Sequence, residues 1–375
     1  MKIAFVSDAV YPYNKGGKEK RLYEFSVRLS KMGHEVHIYS MKWWEGPNVK
    51  TENGVQLHGI CKYRPLYKDE RRSISEAIIF AFACFKLIGA DFEIADVDQM
   101  PYFPLYSMWI VCQLRGKKMF ATWNEVWGRD YWAEYMGNRV NGRISYLIER
   151  FSVLLPNTVI SISPHTTQRL VNILNCKRPI IEVACGLNFS QISKIQPADN
   201  KSDIIYAGRL LKHKRVDLLI RAVAKLKATG QIVTCIIVGE GPERKRLENL
   251  VAQLGLEKQI AFHDFYANHE DVFALMKAAK VFASPSEREG FGIVVVEANA
   301  CGKPVVANLA PANASKDLIQ HGVNGFLFEQ TVDALAVAIT NGLDQALQLG
   351  AKCLSSARKY DWGKLAVQLE KGYSE

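Results

Sequence analysis

The chain of 375 residues lacks an apolar segment long enough to cross a bilayer. Its longest run without Asp, Glu, Lys, Arg or His, 99–114, has sixteen residues and contains prolines at 101 and 104, whereas a transmembrane helix needs about 20 apolar residues. The first strand-like stretch, 1–8, is too short for a signal peptide. These absences predict a cytoplasmic protein, with peripheral contact at the inner face of a membrane as the alternative.

Patterns typical of nucleic-acid-binding, metal-binding and disulfide-bonded proteins are also missing. There is no Arg-rich run, RNA-binding signature or zinc-finger spacing, so no nucleic-acid partner is expected. The eight cysteines form no C-x-x-C pair and several fall in apolar stretches. They are therefore predicted to be buried thiols in a reducing compartment, and no metal site is predicted.

The net charge of +10 is unevenly distributed. Residues 1–185 hold 25 Lys and Arg against 18 Asp and Glu, whereas residues 186–375 hold 23 against 20. The excess basicity of the first half suits an anionic substrate, a membrane surface or nucleic acid. Peripheral contact with an anionic membrane is therefore one expectation for this half.

Apolar strands followed by glycine-containing loops and helices recur along the whole chain. This pattern predicts two consecutive α/β domains with doubly wound parallel sheets. We predict an N-terminal domain at 1–188, a polar linker at 189–202, a second domain at 203–358 and a C-terminal helix at 359–375. No G-x-G-x-x-G follows the first strand, which disfavours a dehydrogenase. The apolar helix predicted at 75–87 is interpreted as a core helix, with membrane contact as the second interpretation.

The stretch 284–307 predicts strand, loop, helix and strand in succession. The helix is placed between Gly292 and Gly302 and has about three turns. Its N-terminus suits an anion such as a diphosphate. Two carboxylates, Glu289 and Glu297, flank this terminus and are suited to accept hydrogen bonds from sugar or ribose hydroxyls. In the alternative, Glu289 stabilises the helix dipole and Glu297 lies on the surface.

A second candidate anion site is the basic loop that follows the strand at 204–207. Arg209 and Lys214 precede a helix N-terminus, where cations oppose the helix dipole, so they are expected to bind an anion. A solvated basic turn is the alternative. The aromatic loop 123–132 follows another strand and suits a carbohydrate or other polar ligand; a packed interdomain loop is the alternative.

These motifs together resemble the retaining glycosyltransferases of family 4. The segment from Glu289 to Glu297 resembles the E-x7-E motif of that family, and Ala-x-Gly-x-Pro-Val-Val-Ala follows it. The segment 207–217, in which Gly208-Arg209-Leu210 is followed by Lys214 and Asp217, resembles a second motif of that family. The remaining matching motifs, in the expected order, are Gly16-Gly17, Gly33–Val36, Gly239–Pro242, Gly322–Phe326 and Tyr360–Trp362.

The resemblance implies a GT-B fold, in which two Rossmann-like domains face a central cleft and the C-terminal helix crosses back onto the first domain. The first domain would bind the acceptor and the second the donor. The implied reaction is metal-independent and retaining. It moves a sugar from a nucleotide-sugar donor such as a UDP- or GDP-sugar, without a cofactor, to a hydroxyl of a glycan, lipid-linked glycan or small alcohol.

Residue roles follow from the resemblance. Arg209 and Lys214 would hold the diphosphate and stabilise the leaving group, Glu297 would bind the ribose, and Glu289 would bind the donor sugar. Gly17 would leave room for the β-phosphate. The other implied donor-binding positions are Gly16, Gly241, Gly290, Phe291, Gly292 and Ile293.

One position departs from the family pattern. Family members often carry His where this chain has Asn124, beside the donor sugar. Asn exchanges hydrogen bonds but does not titrate near neutrality. We expect hydrogen bonding to be the role that matters, so that Asn124 joins Glu289, Arg209 and Lys214 in the catalytic set, with Glu125 as a compensating candidate. The alternative function is a non-catalytic nucleotide-sugar-binding subunit of a glycosyltransferase complex. A sugar-nucleotide epimerase or phosphorylase is disfavoured by the E-x7-E motif.

Overall fold

The computed structural model describes residues 1–68, 71–264, 266 and 268–374. The chain forms two compact units. The first comprises residues 1–185 together with the C-terminal segment from Trp362, and the second comprises Gly186–Asp361. Each unit has its own parallel sheet and its own apolar core, so each is described by itself.

The first unit alternates strands and helices. Its strands are Lys2–Val6 (β1), Glu35–Lys42 (β2), Val49–Glu52 (β3), Val55–Lys62 (β4), Tyr67–Lys68 (β5), Arg71–Arg72 (β6), Ile94–Asp98 (β7), Lys118–Trp123 (β8), Thr158–Ser161 (β9) and Ile180–Glu182 (β10). Its first six helices are Gly17–Lys31 (α1), Ile74–Cys84 (α2), Phe103–Arg115 (α3), Gly128–Met136 (α4), Arg139–Ser152 (α5) and Pro164–Asn172 (α6).

The main sheet of this unit has the order β10-β9-β8-β7-β1-β2-β4-β3. Neighbouring strands are parallel except β3 and β4. Side chains alternate between its faces, so Ile3 and Phe5 join one core while Ala4 and Val6 join the other. The strand order reverses between β1 and β7, and the carboxyl ends of these strands therefore form the switch point where α/β folds bind ligands.

The second unit has a six-stranded, fully parallel sheet in the order β13-β12-β11-β14-β16-β18. Its strands are Ser202–Ala207 (β11), Cys235–Val238 (β12), Ile260–His263 (β13), Ala279–Ser284 (β14), Arg288–Glu289 (β15), Val305–Asn308 (β16), Ala312–Asn313 (β17) and Gly325–Phe328 (β18). Its helices are Phe189–Lys194 (α7), Val216–Ala228 (α8), Arg244–Gln253 (α9), His269–Ala278 (α10), Ile293–Ala300 (α11) and Val332–Ala357 (α12). The six-stranded sheet has the Rossmann strand order, with its switch point between β11 and β14.

The last helix, Trp362–Ser374 (α13), packs within the first unit. The Trp362 ring meets the edge of Phe25 at 5.2 Å, and the Tyr373 hydroxyl donates to Asp96 at 2.5 Å. The prediction of two Rossmann-like domains with a C-terminal helix that returns to the first one is therefore confirmed. Residue 375, the end of the segment predicted at 359–375, lies outside the described residues.

Three local predictions were wrong. The stretch 189–202, predicted as a linker without periodicity, begins with α7, because Asn188 caps this helix and Ile192 is buried. The helix predicted to have about three turns between Gly292 and Gly302 has eight residues, since its last turn is replaced by the bend that leads into β16. The helix predicted at 75–87 as a core helix ends at Cys84, and Phe82 on it is 70% exposed.

Candidate active site

The switch point of the second unit gathers the residues of the two predicted anion sites. Because β11 and β14 are adjacent and parallel, their carboxyl ends, Ala207 and Ser284, lie at the same edge of the sheet. The loop after β11 carries Arg209 and Lys214, and the loop after β14 carries Glu289. The structure thus brings together the two sequence segments from which the diphosphate and donor-sugar roles were predicted.

Lys214 and Glu289 form a largely buried ion pair. The Lys214 Nζ lies 2.6 Å from Glu289 Oε1, and the two side chains are 17% and 14% exposed. Burial alone would raise the pKa of Glu289, but the Lys214 ammonium outweighs it and holds this pKa below its usual value. The neighbouring imidazole is partly buried, and this desolvation together with the Lys214 charge lowers the pKa of His213 to about 4. The carboxylate is therefore ionised and His213 is neutral near pH 7.

The backbone joins the two loops that carry this pair. The Glu287 N–H donates to the His213 carbonyl at 2.9 Å, and Glu289 lies on β15, which pairs with β17 through Asn313. These bonds fix the position of both charged side chains. The bond between Glu287 and His213 was not predictable from the sequence, because it joins segments more than seventy residues apart.

Arg209 differs from Lys214 because its side chain is exposed. No ion pair of the guanidinium is found among the described residues. The loop itself is held by the Tyr206 hydroxyl, which donates to the Arg209 carbonyl at 3.1 Å. Arg209 and Lys214 are the two predicted diphosphate ligands. The charge of Lys214 is neutralised by Glu289, whereas no ion pair among the described residues neutralises the charge of Arg209.

Gly241 allows two loops at this edge to approach each other closely. A Cβ at Gly241 would lie 2.4 Å from the Leu210 carbonyl oxygen, and the residue has a φ of +153°. The Leu210 N–H donates to Glu240 at 2.7 Å in the same contact. Gly241 therefore has a structural role in holding the Arg209 loop, in addition to the predicted donor-binding role.

The N-terminus of α11 begins directly after Gly292, whose φ is +92°. A Cβ at Gly292 would lie 2.4 Å from the Ser315 Cβ, so only glycine fits at this position. The Phe291 side chain is buried and meets the Tyr360 ring edge-on at 5.7 Å. Because the Phe291 side chain is packed, only the backbone of the predicted cradle at 290–293 is suited to contact a ligand. The first N–H groups of α11 lack intrahelical acceptors.

Glu297 lies on α11 and is buried, with an exposure of 5%. A hydrogen bond of 3.2 Å joins its Oε1 to His269 Nε2, at the start of α10. The alternative interpretation of Glu297 as a surface residue is therefore wrong. Sequence reasoning missed His269; the only available signal was its position directly after Asn268, the helix-capping residue.

The switch point of the first unit carries Asn124. This residue follows β8 and donates its side-chain N–H to Asp98 Oδ1, at the end of β7, at 2.9 Å. The other Asp98 oxygen accepts from Ser7 at 3.1 Å and pairs with Lys18 at 3.0 Å. Because an amide hydrogen of Asn124 is already engaged, its carbonyl oxygen is the atom suited to accept a ligand hydroxyl.

A buried charge cluster continues from Lys18 toward β6. Lys18 also pairs with Asp8 at 3.0 Å, and Asp8 accepts from Arg72 as well. Burial would lower the pKa of Lys18, but the carboxylates of Asp8 and Asp98 outweigh it and raise this pKa. These residues were not predicted as site residues from the sequence, although Asp8 and Lys18 flank the predicted Gly16-Gly17 loop.

The Gly16-Gly17 loop leads into α1. A Cβ at Gly16 would meet the flexible end of the Glu19 side chain, whereas a Cβ at Gly17 would have no neighbour within 4 Å. The packing of the described residues therefore does not explain why position 17 is glycine. The role of Gly17 beside a ligand stays a prediction.

Asp96 and Asp98 form an Asp-x-Asp sequence that the prediction of no metal site passed over. Asp96 and Asp98 lie two residues apart on β7 and therefore share one face of the sheet. Their partners differ, since Asp96 accepts from Thr122 at 2.9 Å and from Tyr373, whereas Asp98 accepts from Asn124. Among the described residues no group of three or more His, Cys, Asp or Glu side chains is arranged to hold a metal ion.

The aromatic loop 123–132 is mostly packed rather than open. Trp123 is fully buried, and Trp132 donates its indole N–H to the buried Glu149 at 2.8 Å. The Glu149 carboxylate also accepts from the backbone of Trp127 and Gly128. The interpretation as a packed loop is favoured over a carbohydrate site, and its packing is within the first unit.

Two family models cover nearly the whole chain. The model described as "Glycosyltransferase Family 4" matches residues 15–191, and the model described as "Glycosyl transferases group 1" matches residues 188–360. The chain is a family 4 glycosyltransferase. This confirms the resemblance drawn from the E-x7-E and Gly-Arg-Leu motifs.

Curated relatives of this glycosyltransferase agree with that assignment. An uncharacterized glycosyltransferase of Methanocaldococcus jannaschii is 25% identical over 98% of this chain and 96% of its own length. The phosphatidylinositol N-acetylglucosaminyltransferase gpi3 subunit of Schizosaccharomyces pombe is 25% identical over 98% of this chain and 79% of its own. The D-inositol 3-phosphate glycosyltransferase of Corynebacterium efficiens is 32% identical over 46% of this chain and 42% of its own.

Solved structures share the GT-B fold. Sucrose-phosphate synthase from Thermosynechococcus elongatus has a TM-score of 0.81 at 21% identity and covers 100% of this chain and 98% of its own. Anabaena HepE in complex with UDP has a TM-score of 0.74 at 19% identity, with complete coverage of both chains. At these identities the similarity establishes the fold of the glycosyltransferase.

No helix in the part of the glycosyltransferase that the structure describes is both long and apolar enough to cross a membrane.

Proposed function

We propose that this glycosyltransferase moves a sugar from a nucleoside-diphosphate sugar to a hydroxyl acceptor, with retention and without a metal ion. The observation that carries the proposal is the switch point of the second unit. There, exposed Arg209, the Lys214–Glu289 pair and the N-terminus of α11 occupy the loops after two adjacent strands. Related structures support the donor class, since HepE was solved with UDP and with UDP-glucose.

The diphosphate would be bound by Arg209, Lys214 and the first N–H groups of α11. The Arg209 charge is not paired directly, whereas Lys214 shares its charge with Glu289. The helix N-terminus adds about half a positive charge. These groups supply the neutralisation that a divalent cation provides in other transferases, which is why we propose a metal-independent reaction.

The hydroxyl groups of the donor would be bound by carboxylates. Glu289 is held ionised by Lys214 and can accept hydrogen bonds from the donor sugar. Glu297 is positioned by His269 and can accept from the ribose. Both residues are fixed by contacts within the second unit, so the carboxylates are oriented before a ligand arrives.

In the proposed reaction the bond between the sugar C1 and the β-phosphate oxygen breaks, and the electron pair leaves with the diphosphate. The acceptor oxygen forms a bond to C1 on the face that the diphosphate leaves, which retains the anomeric configuration. The acceptor proton passes to a phosphate oxygen of the leaving group. Arg209 and Lys214 stabilise the charge that develops on this group.

The acceptor class comes from the names of relatives and from the charge of the chain. One relative is named for phosphatidylinositol and others for inositol 3-phosphate. The first half of this chain carries the larger basic excess. We therefore propose an anionic hydroxyl acceptor, either a lipid-linked glycan or a phosphorylated polyol.

A direct test measures donor cleavage and transfer by NMR. The protein is incubated with UDP- and GDP-sugars, with and without candidate acceptors, and the anomeric configuration of the product is determined. An α-linked product from an α-linked donor without added metal supports the proposal. An inverted product, or a requirement for a divalent cation, would overturn the corresponding part.

A second candidate function is a non-catalytic nucleotide-sugar-binding subunit, because Asn124 replaces the His that family members often carry. The structure supports a hydrogen-bonding role instead, because Asp98 and Gln99 hold the residue in place. Asn124→His discriminates between the two functions. If donor cleavage appears only in the His variant, the binding subunit is the better assignment; measurable cleavage by the natural chain excludes it.

A further inference from the structure

Three helices lie side by side on one face of the first unit. Helix α3 packs against α2, and its Arg115 donates to the Leu87 carbonyl just beyond α2 at 3.3 Å. On its other side the Tyr106 hydroxyl donates to the Ile148 carbonyl of α5 at 2.8 Å. We call the outer surface of α2, α3 and α5, together with the short segment 85–89, the α2–α3–α5 face.

Large apolar side chains are exposed across this face. Phe82 and Leu114 are 70% and 71% exposed, and Phe151 is 54% exposed. The other exposed large apolar residues of the face are Ile74, Ile78, Ile88, Trp109, Ile110, Val140, Ile144 and Leu147. Monomeric soluble proteins rarely expose so many apolar side chains in one region, so this face is expected to have a partner.

Helix α5 shows the pattern most clearly. Val140, Ile144, Leu147 and Phe151 follow one another at intervals of three or four residues, which places them along one stripe of the helix. All four are exposed. An amphipathic helix in a soluble domain normally turns such a stripe inward, whereas here the buried residues are Gly142, Glu149 and Ser152.

The exposed charges of the same helices are all positive. The acidic residues of α2, α3 and α5 are Glu76 and Glu149, with exposures of 1% and 0%. The exposed charged residues are Lys86 in the segment 85–89 and Arg139, Arg143 and Arg150 on α5. A protein interface would require no such bias, whereas an apolar stripe flanked by basic side chains is the composition of helices that lie in the headgroup region of anionic bilayers.

We propose that the α2–α3–α5 face docks on the surface of an anionic lipid bilayer. The apolar side chains enter the headgroup and acyl boundary, and the arginines of α5 contact lipid phosphates. The longest of the three helices, α5, has fourteen residues, so it lies in the interface and does not cross it. This proposal does not depend on the proposed donor chemistry, and its test needs neither donor nor acceptor.

The test is vesicle flotation of the full chain at low ionic strength. Vesicles of phosphatidylcholine alone are compared with vesicles that contain about 30% phosphatidylglycerol. We expect binding to the anionic vesicles, and about tenfold weaker binding to neutral ones or in about 0.5 M salt. Binding to neither kind of vesicle would overturn the proposal.

Variants distinguish vesicle binding through this face from nonspecific adsorption of the protein to vesicles. Leu114→Glu with Phe151→Glu should lower vesicle binding about tenfold or more, because two exposed apolar anchors are lost. Arg139→Gln with Arg143→Gln should reduce the preference for anionic vesicles. The matched control is Leu347→Glu, since Leu347 is 99% exposed on α12 of the second unit; its binding should equal that of the natural chain.

Two results would contradict the assignment. Equal loss in the Leu347→Glu control would show that binding does not involve the α2–α3–α5 face. A concentration-dependent dimer in analytical ultracentrifugation, abolished by the Leu114 and Phe151 substitutions in the absence of vesicles, would assign the face to a second copy of the chain. Circular dichroism of each variant checks that the fold is retained, and the arginine variant provides a test if the apolar one fails to fold.

Discussion

The ion pair between Lys214 and Glu289 yields a quantitative prediction for Lys214→Met, which removes the ammonium and keeps the length of the side chain. Breaking a fully buried pair by removing one partner costs about 3–5 kcal/mol. The two side chains here retain 17% and 14% exposure, so water offsets part of this cost and we expect a loss of about 2 kcal/mol. For a unit of this size that lowers the melting temperature of the second unit by about 4–8 °C.

The stability that the Lys214–Glu289 pair contributes changes with pH in a defined direction. The pKa of Glu289 is lowered in the folded state from its ordinary value of 4.5, so the pair stabilises the fold above that value and its contribution is lost as the pH falls through the folded-state pKa. Without Lys214, burial would raise the pKa of Glu289. The deficit of the variant should therefore be large at pH 7 and shrink on acidification.

The assay is differential scanning calorimetry of a double-mutant cycle with Glu289→Gln. We expect a coupling free energy of about 1–3 kcal/mol at pH 7 that decreases below pH 5. If Lys214→Met destabilises the unit equally with Glu or Gln at position 289, the pair contributes nothing and the reasoning is refuted.

Two further predictions concern the same unit. Gly292→Ala should lower its melting temperature clearly, because Gly292 has a positive φ and a Cβ there would contact Ser315. Gly322 has a φ of +74° and no neighbour within 4 Å, so Gly322→Ala should cost only the backbone strain of about 1 kcal/mol. Equal effects of the two variants in thermal unfolding would argue against the contact with Ser315. The His213 imidazole should titrate near pH 4 by NMR, because burial and then Lys214 lower its pKa. Neutral His213 stabilises the fold above about pH 6.5, and that contribution is lost as the pH falls toward 4; titration near 6.5 would contradict the burial.

The alternation of strands and helices was predictable because both units are built from parallel strands with buried, apolar sequences. The helix after Gly292 was also predicted correctly, although Val294–Val296 favours a strand by propensity. Its length was not predictable, because the end of α11 depends on the bend that places β16 beside β14. The exposure of Phe82 could not be anticipated either, since an apolar helix is equally compatible with a core or an interface.

Residue identities in the site were easier to predict than their contacts. Arg209, Lys214, Glu289 and Glu297 were chosen from motifs, and their donor roles remain predictions. Which carboxylate pairs with which cation depends on the register between distant loops, so neither the Lys214–Glu289 pair nor the bond between His269 and Glu297 could be derived from spacing. The family motif identifies the charged residues of the site, whereas the residues that orient them are brought into contact by the tertiary structure.

The most direct test of the account is calorimetric titration of the chain and of Arg209→Ala with UDP, GDP and the corresponding nucleoside monophosphates. We expect one nucleoside diphosphate to bind with a stoichiometry of one and more tightly than its monophosphate. Arg209→Ala should weaken the diphosphate about tenfold or more and affect the monophosphate less. No binding of any nucleoside diphosphate, or equal affinity in Arg209→Ala, would contradict the placement of the donor diphosphate at the switch point of the second unit.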